Sequence, residues 1–390
     1  MKGVNVTSEI GVLRKVLLHR PGKELLYLTP SNRGELLFDD IPYLEKAMEE
    51  HNFFSKVLKE NGVEVLYLED LMAEVLDLSQ SIKEEFVQQF LQEANISSYK
   101  DSIYQYLMSF INSKDLVLKT MEGIQVQDID PSSEQNRLLI NPLPNLYFAR
   151  DNFASIGSGI SLNHMYSKTR NRECIYAEYI FKYHPDYKDV FKYYDRSYPW
   201  SIEGGDILIL NENVLVVGIS ERTEMDAIKE LAKNCFQNPS CEIDRVVALQ
   251  IPSRRACMHL DTVFTQVDSY TFTYYPGILD TLQVFEINKD LRIVEMNDSL
   301  DKILEKYLSH PVKLIPCAGG DIIAAEREQW SDGVNTLCIR PGVVLVYDRN
   351  KLTNEVLRRE GIKVIEIPSS ELSRGRGGPR CMSMPLLRDE

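Results

Sequence analysis

The sequence has no hydrophobic run near the roughly 20 residues that a membrane helix requires. No basic-then-apolar leader opens it either. The expectation is a cytoplasmic protein with no membrane partner. Positive charge is in deficit: 44 Lys and Arg stand against 58 Asp and Glu, a net charge of -14. That balance argues against a nucleic-acid partner, whose binders are usually basic. It says little about a small cationic ligand, because distant charge is screened within about 10 Å. Cysteine is sparse and odd in number, with seven residues at 174, 235, 241, 257, 317, 338 and 381. No Cys-x-x-Cys pair and no His-x-x-x-His spacing occurs. Neither a disulfide framework nor a zinc site is expected, and most thiols should be small buried apolar groups.

What remains is ordinary globular material: 390 residues, 44% hydrophobic and 26% charged. The chain is long enough for a large core. A repeat runs through it. Gly204-Gly205-Asp206-Ile207-Leu208 precedes the apolar strand Val214-Leu215-Val216-Val217 and a helical stretch from Glu221 to Phe236. Gly319-Gly320-Asp321-Ile322-Ile323 resembles that opening, followed by Val343-Val344-Leu345-Val346 and a helical stretch from Asn354 to Glu360. Val57-Leu58-Lys59-Glu60-Asn61-Gly62-Val63-Glu64-Val65 parallels Val356-Leu357-Arg358-Arg359-Glu360-Gly361-Ile362-Lys363-Val364. Gly62 and Gly361 stand where a helix C-terminus favours a left-handed residue. The strands after them alternate apolar and polar residues. Ser220 reads as the N-cap of the helix beginning at Glu221. A strand–strand–helix–strand unit of roughly 50 residues therefore recurs, and such units must pack on one another.

Residues 70–126 break the pattern. Ile82, Phe86 and Phe90 recur every four residues, Ser81-Ile82-Lys83-Glu84 has the form of a capping box, and Ile103, Leu107, Phe110 and Ile111 make a second helical stripe. The expectation is an all-helical insertion at 70–126 in an α/β domain formed by 1–69 and 127–390.

Four polar clusters interrupt strand-like segments: Asn145-Leu146-Tyr147-Phe148-Ala149-Arg150-Asp151, Glu203-Gly204-Gly205-Asp206, His259-Leu260-Asp261-Thr262, and the run ending at Cys381. On a strand, His259 and Asp261 would share a face. Cys381 follows Arg374, Arg376 and Arg380, and nearby cations lower a thiol's pKa from about 8.5. Gly375, Gly377 and Gly378 allow backbone to approach a ligand closely. A nucleophile, base and acid set fits these residues. Taken singly, His259 reads as well as a hydrogen-bonded structural histidine, and Glu203 and Asp206 as a turn before a strand.

Taken in order, the four clusters, with Arg380-Cys381-Met382-Ser383-Met384-Pro385-Leu386 as the fourth, resemble the motif set of the arginine deiminases, of the guanidino-group-modifying or pentein superfamily. The resemblance implies a five-bladed pseudo-fivefold α/β propeller of ββαβ units with a helical insertion. It implies hydrolysis of L-arginine to L-citrulline and ammonia, with Cys381 as nucleophile through a thiouronium-type intermediate. By the same resemblance His259 moves protons, Glu203 holds His259, and Asp151 and Asp261 grip the guanidinium, a fixed cation with five N–H donors. Asn145, Arg170, Arg222 and Arg376 would bind the amino-acid end, with Gly375 beside them. Phe38-Asp39-Asp40 would lie near the mouth. No metal and no organic cofactor is implied, and a homo-oligomer, dimer or tetramer, is. Arg380 and Pro379 receive no role. Three alternatives stay open. Two are hydrolysis of a related guanidino compound, agmatine or a methylarginine, and, less favoured, amidinotransfer. The remaining one is a catalytically silent binding protein on the same fold.

Overall fold

The computed structural model describes residues 3–96, 98–135 and 137–389. Five sheets share one plan, in which an outer pair of strands runs antiparallel and a helix returns the chain to a third, parallel strand. The pairs are Phe153–Ile156 with Gly159–Leu162, Ile207–Asn211 with Val214–Ile219, Phe264–Asp268 with Thr271–Tyr274, and Leu337–Arg340 with Val343–Tyr347. Their parallel partners are Phe191–Tyr194, Arg245–Gln250, Lys313–Pro316 and Lys363–Ile367. Counted along the chain, the sheet that joins its two ends comes first, so that the four above are the second to the fifth: Val12–Leu18 pairs antiparallel with Met384–Asp389 and parallel with Glu64–Tyr67.

Local sequence explains the units. In Val214–Ile219 five consecutive residues are buried, as expected of an inner strand covered on both faces. The helices Leu44–Glu60 and Lys351–Arg359 end just before Gly62 and Gly361, whose φ of 81° and 92° lies in the left-handed region. The Glu221 start expected for the third helix is moved: that helix is Met225–Gln237, capped at Glu224. Ser220 instead organises the preceding turn, where its Oγ accepts from the backbone N–H groups of Arg222 and Thr223 and donates to Asp206.

The likeness of Gly319-Gly320-Asp321-Ile322-Ile323 to the Gly204 segment misleads. The residues after it form a helix, Ile322–Trp330, because the Asp321 carboxylate accepts from Ala324 N and caps it. Ile322 and Ile323 stand largely exposed. A hairpin that the repeat does not announce, Gln283–Ile287 and Ile293–Met296, widens the third sheet to five strands.

Helices Leu68–Asp77, Gln80–Glu93, Lys100–Met108 and Ser113–Glu122 follow the first unit. Phe86, Phe90, Ile103 and Leu107 are fully buried, packed in one core cluster with residues of the second and third sheets. The capping residue is Ser79, not Ser81: its side chain accepts from Ile82 N. Ile111 lies beyond the end of its helix and is fully exposed. No helix among the described residues is long and apolar enough to cross a membrane.

Candidate functional site

Each sheet contributes to one buried site from the same place, the few residues just before its first strand. Asp151 precedes Phe153–Ile156, Glu203 precedes Ile207–Asn211, and His259 and Asp261 precede Phe264–Asp268. Asn335 precedes Leu337–Arg340, and Cys381 precedes Met384–Asp389. Hydrogen bonds link these segments in sequence. Arg150 N donates to Cys381 O at 3.0 Å, Gly204 N to Asp151 O at 3.1 Å, and Leu260 N to Asp206 Oδ1 at 2.7 Å. Asn335 Nδ2 then donates to Asp261 O at 3.0 Å, and Cys381 N donates to Asn335 Oδ1 at 3.1 Å. The segments thus fix one another, and the polar side chains between them sit on rigid backbone.

Close packing dictates the glycines. A Cβ on Gly204 would stand 1.9 Å from Arg150 O, and one on Gly205 would stand 2.6 Å from His259 Nδ1. A Cβ on Gly375 would meet the Tyr147 hydroxyl at 2.0 Å. His259 and Asp261 do not share a strand. Leu260–Thr262 is a 3-10 turn, held where Thr262 Oγ1 donates to His259 O. The turn still delivers both side chains to the site.

His259 Nε2 lies 2.7 Å from Glu203 Oε2, and its Nδ1 lies 3.8 Å from Asp151 Oδ1. Burial disfavours the imidazolium, but the charges of Asp151 and Glu203 outweigh it and lift His259 to about 9. Burial likewise raises Glu203, and His259 and Arg222 overcome that and draw it down. The pair is therefore an imidazolium–carboxylate pair at neutral pH. Cys381 Sγ sits 3.5 Å from Asp261 Oδ2 and accepts from Asn335 Nδ2 at 3.1 Å.

The expectation that arginines lower the Cys381 pKa fails. Burial and the charges of Asp261, Asp151 and Asp332 push the thiol well up, and only Arg380 opposes them among the leading influences. The other two arginines lie elsewhere. Arg374 pairs with Asp40 and Glu371, and Arg376 is stacked on the Trp330 ring at 3.5 Å. Cys381 is thus held toward the thiol form.

The four residues expected at the amino-acid end are differently placed. Asn145 is buried in a 3-10 turn and donates to Leu36 O at 2.8 Å. Arg222 is buried over the Tyr166 ring, and its Nε has no hydrogen-bond partner. All three guanidinium nitrogens of Arg376 are buried without partners, with Asp39 Oδ2 at 3.9 Å. Arg170 is committed elsewhere: it forks onto Glu173 and donates to Asp151 Oδ2 at 2.9 Å. Asp151 Oδ1 makes no hydrogen bond, with His259 Nδ1 at 3.8 Å. Asp39 receives the Arg255 fork, so the Phe38-Asp39-Asp40 segment borders Arg376. Asp151, Glu203 and His259 offer ligand atoms within 4.8 Å of one another. The Arg170 cation already lies 2.9 Å from Asp151 and 3.8 Å from Glu203, in competition with any metal ion there.

The sequence reading misses Asn335. A lone asparagine in Gly333-Val334-Asn335-Thr336 carries no chemical signature. Its place just before the first strand of a repeat unit is the signal that singles it out.

Comparison with known proteins places the chain. The family model described as arginine deiminase matches residues 34–388. Arginine deiminase from Treponema denticola is 54% identical, with 100% of both chains covered. The chain belongs to the arginine deiminase family. Its counterpart from Clostridium perfringens is 50% identical over 100% of this chain and 99% of its own. Among solved structures, AgrE with ornithine and NAD+ matches 96% of this chain at 17% identity and a TM-score of 0.57, but the chain spans only 39% of AgrE. The N-terminal domain of ArgZ, a cyanobacterial arginine dihydrolase, is covered over 97% of its length at a TM-score of 0.56 and 16% identity. These structures show a mixed α/β fold, and the family model with the full-length identity shows the arginine deiminase family.

Proposed function

We propose that the chain is an arginine deiminase that converts L-arginine and water to L-citrulline and ammonia. The observation carrying this reading is one buried site that holds a cysteine sulfur, an imidazolium–carboxylate pair and two further carboxylates. A guanidinium is planar, permanently charged and rich in donors, and carboxylates match its geometry. Asp261 and the free Oδ1 of Asp151 are the acceptors for it. The bound cation offsets the carboxylate charges that now hold Cys381 protonated, so substrate itself favours the thiolate.

With the cation bound, the Cys381 thiol gives up its proton to solvent; the thiolate attacks the guanidinium carbon, and the C=N electrons move to nitrogen. His259 gives a proton to the departing nitrogen, and ammonia leaves. The product of this half is a thiouronium on sulfur. Neutral His259 takes a proton from water, the hydroxide adds to the same carbon, and the C–S bond breaks as the new hydroxyl loses its proton to solvent, which releases citrulline and the thiolate. Glu203 keeps His259 oriented and balances its charge. Help of this kind is typically worth about a hundred- to ten-thousand-fold.

Arg222 and Arg376, with unpartnered buried donors, are the groups for the α-carboxylate, with Asn145 beside them. Arg170 would join them only by releasing Asp151. Agmatine has no carboxylate, which favours arginine over it. The five like sheets and the hydrogen bonds that run from segment to segment support a five-bladed propeller, with 70–126 as a helical insertion. We also assign a reducing, cytoplasmic setting and a homo-oligomer without nucleic acid. The test is citrulline release from arginine, agmatine and methylarginines, with no added cofactor. Arginine should give the highest kcat/KM, and Cys381→Ser should abolish release. No citrulline from the native protein would overturn the assignment.

A further inference from the structure

Arg380 precedes the cysteine and is almost wholly buried. Its side chain is 1% exposed. Its Nε and Nη2 donate to the two oxygens of Glu9, each at 3.0 Å. Nη2 also donates to Ile207 O at 2.8 Å, and Nη1 donates to Asp261 Oδ2 at 2.9 Å. That same Asp261 oxygen is 3.5 Å from Cys381 Sγ. Glu9 is fixed in turn: its Oε1 accepts from Ile209 N, and its own N–H donates to Ile209 O. A buried guanidinium with a carboxylate on each side thus connects the first residues of the chain to the reacting sulfur.

We propose that Arg380 is a positioning residue: anchored by Glu9, it holds the Asp261 carboxylate aligned beside Cys381. The physical need is clear. Asp261 is wholly buried, and a buried carboxylate without a counter-cation either takes a proton or moves toward water. Arg380 supplies the cation from the side away from substrate, and leaves the other face of Asp261 open to a guanidinium. Its fork geometry suits two carboxylates at once, which the point charge of lysine does not. Glu9 prevents a bare cation from being buried. Burial raises Glu9, but the charges of Arg380 and Arg150 bring it down to about 2, so it is ionised throughout the working range. The remaining charged groups around this network are Arg150, whose Nε donates to Arg380 O at 3.2 Å, Arg388, Asp151 and Asp332. Among the leading influences on the thiol, Arg380 is also the cation that opposes the carboxylates.

The inference rests on the deiminase reading, and its test separates the two. Arg380→Lys and Arg380→Gln are compared with the native enzyme by citrulline release across pH, and by the pH dependence of Cys381 alkylation with iodoacetamide, read by mass spectrometry. Arg380→Lys should lower kcat/KM about tenfold, and Arg380→Gln about a hundredfold, the scale of a reacting group displaced by about 1 Å. In both, the acid limb of kcat/KM and the onset of alkylation should move to higher pH, less so in the lysine variant. If Arg380→Gln does not fold, the lysine variant decides. A folded Arg380→Lys enzyme with native rate, or with an unmoved pH profile and alkylation onset, overturns the proposal. A native protein that is alkylated normally but makes no citrulline overturns the deiminase reading, and this proposal with it.

Discussion

Gly205→Ala tests whether the position of His259 limits catalysis. The added methyl would stand 2.6 Å from His259 Nδ1, 2.7 Å from its Cγ and 3.0 Å from its Cβ. Ordinary contact begins near 3.4 Å, so the ring must retreat by about 0.8 Å, from 3.4 less 2.6. It has little room, because it is buried and held at 2.7 Å by Glu203. Overpacking of this kind costs about 1–3 kcal/mol in stability. Misplacement of a proton-transfer group by about 1 Å costs roughly a hundredfold in rate. Gly62→Ala is the control. Gly62 has φ +81° with open space around it, far in sequence from the site, and a Cβ there costs about 1–2 kcal/mol of left-handed strain. The two variants should therefore lose similar stability in urea unfolding, and only Gly205→Ala should lose about two decades of kcat/KM for citrulline release. If it retains more than half the native kcat/KM, or if Gly62→Ala loses as much, the reasoning is wrong.

Two further outcomes are expected. Arg222→Ala should raise the KM for arginine by roughly a hundredfold, the value of one or two charge-assisted hydrogen bonds, with agmatine turnover little changed; a fall in kcat at constant KM would place Arg222 outside carboxylate binding. The third prediction concerns His19, buried with Nδ1 2.7 Å from Glu69 and Nε2 3.4 Å from Glu24. Burial lowers its pKa, but these carboxylates overcome that and lift it from 6.5 to about 10. The folded value exceeds the unfolded one, so the stabilisation is complete below pH 6.5 and is lost as pH rises through about 10. His19→Gln should flatten the decline of unfolding free energy between pH 7 and 10 in urea titrations; an unchanged slope would refute the charged pairing.

What was legible in the sequence was the chemistry carried by short, unusual strings. Glu203-Gly204-Gly205-Asp206 stands out because each residue is forced: Glu203 by His259 Nε2, Gly204 by the Arg150 carbonyl, Gly205 by the His259 ring, and Asp206 by the Leu260 N–H from which it accepts. The likeness of Gly319-Gly320-Asp321-Ile322-Ile323 to Gly204-Gly205-Asp206-Ile207-Leu208 misleads, and the reason is where the aspartate points. Asp206 turns inward onto Ser220 and Leu260, and a buried strand follows it. Asp321 turns back onto Ala324 N, and a helix with two exposed isoleucines follows. Composition cannot distinguish these, because the deciding partner is more than ten residues distant in one case and three in the other.

The ionisation of Cys381 was misjudged for a related reason: charge close in sequence is not charge close in space. Of the three arginines before it, one is neutralised at the surface by Asp40 and Glu371, one is laid on Trp330, and one reaches Asp261 from behind. The carboxylates that dominate the thiol come from the second, fourth and fifth sheets, and only the fold brings them together. This has a functional consequence. On the proposed reading, a site that holds its cysteine protonated until a cation arrives between Asp151 and Asp261 would couple the nucleophile's activation to the charge of the substrate. A neutral isostere of arginine, such as citrulline, would then bind without generating the thiolate. Selectivity for a guanidinium would thereby arise in the chemical step as well as in binding, because only interactions stronger in the transition state raise kcat.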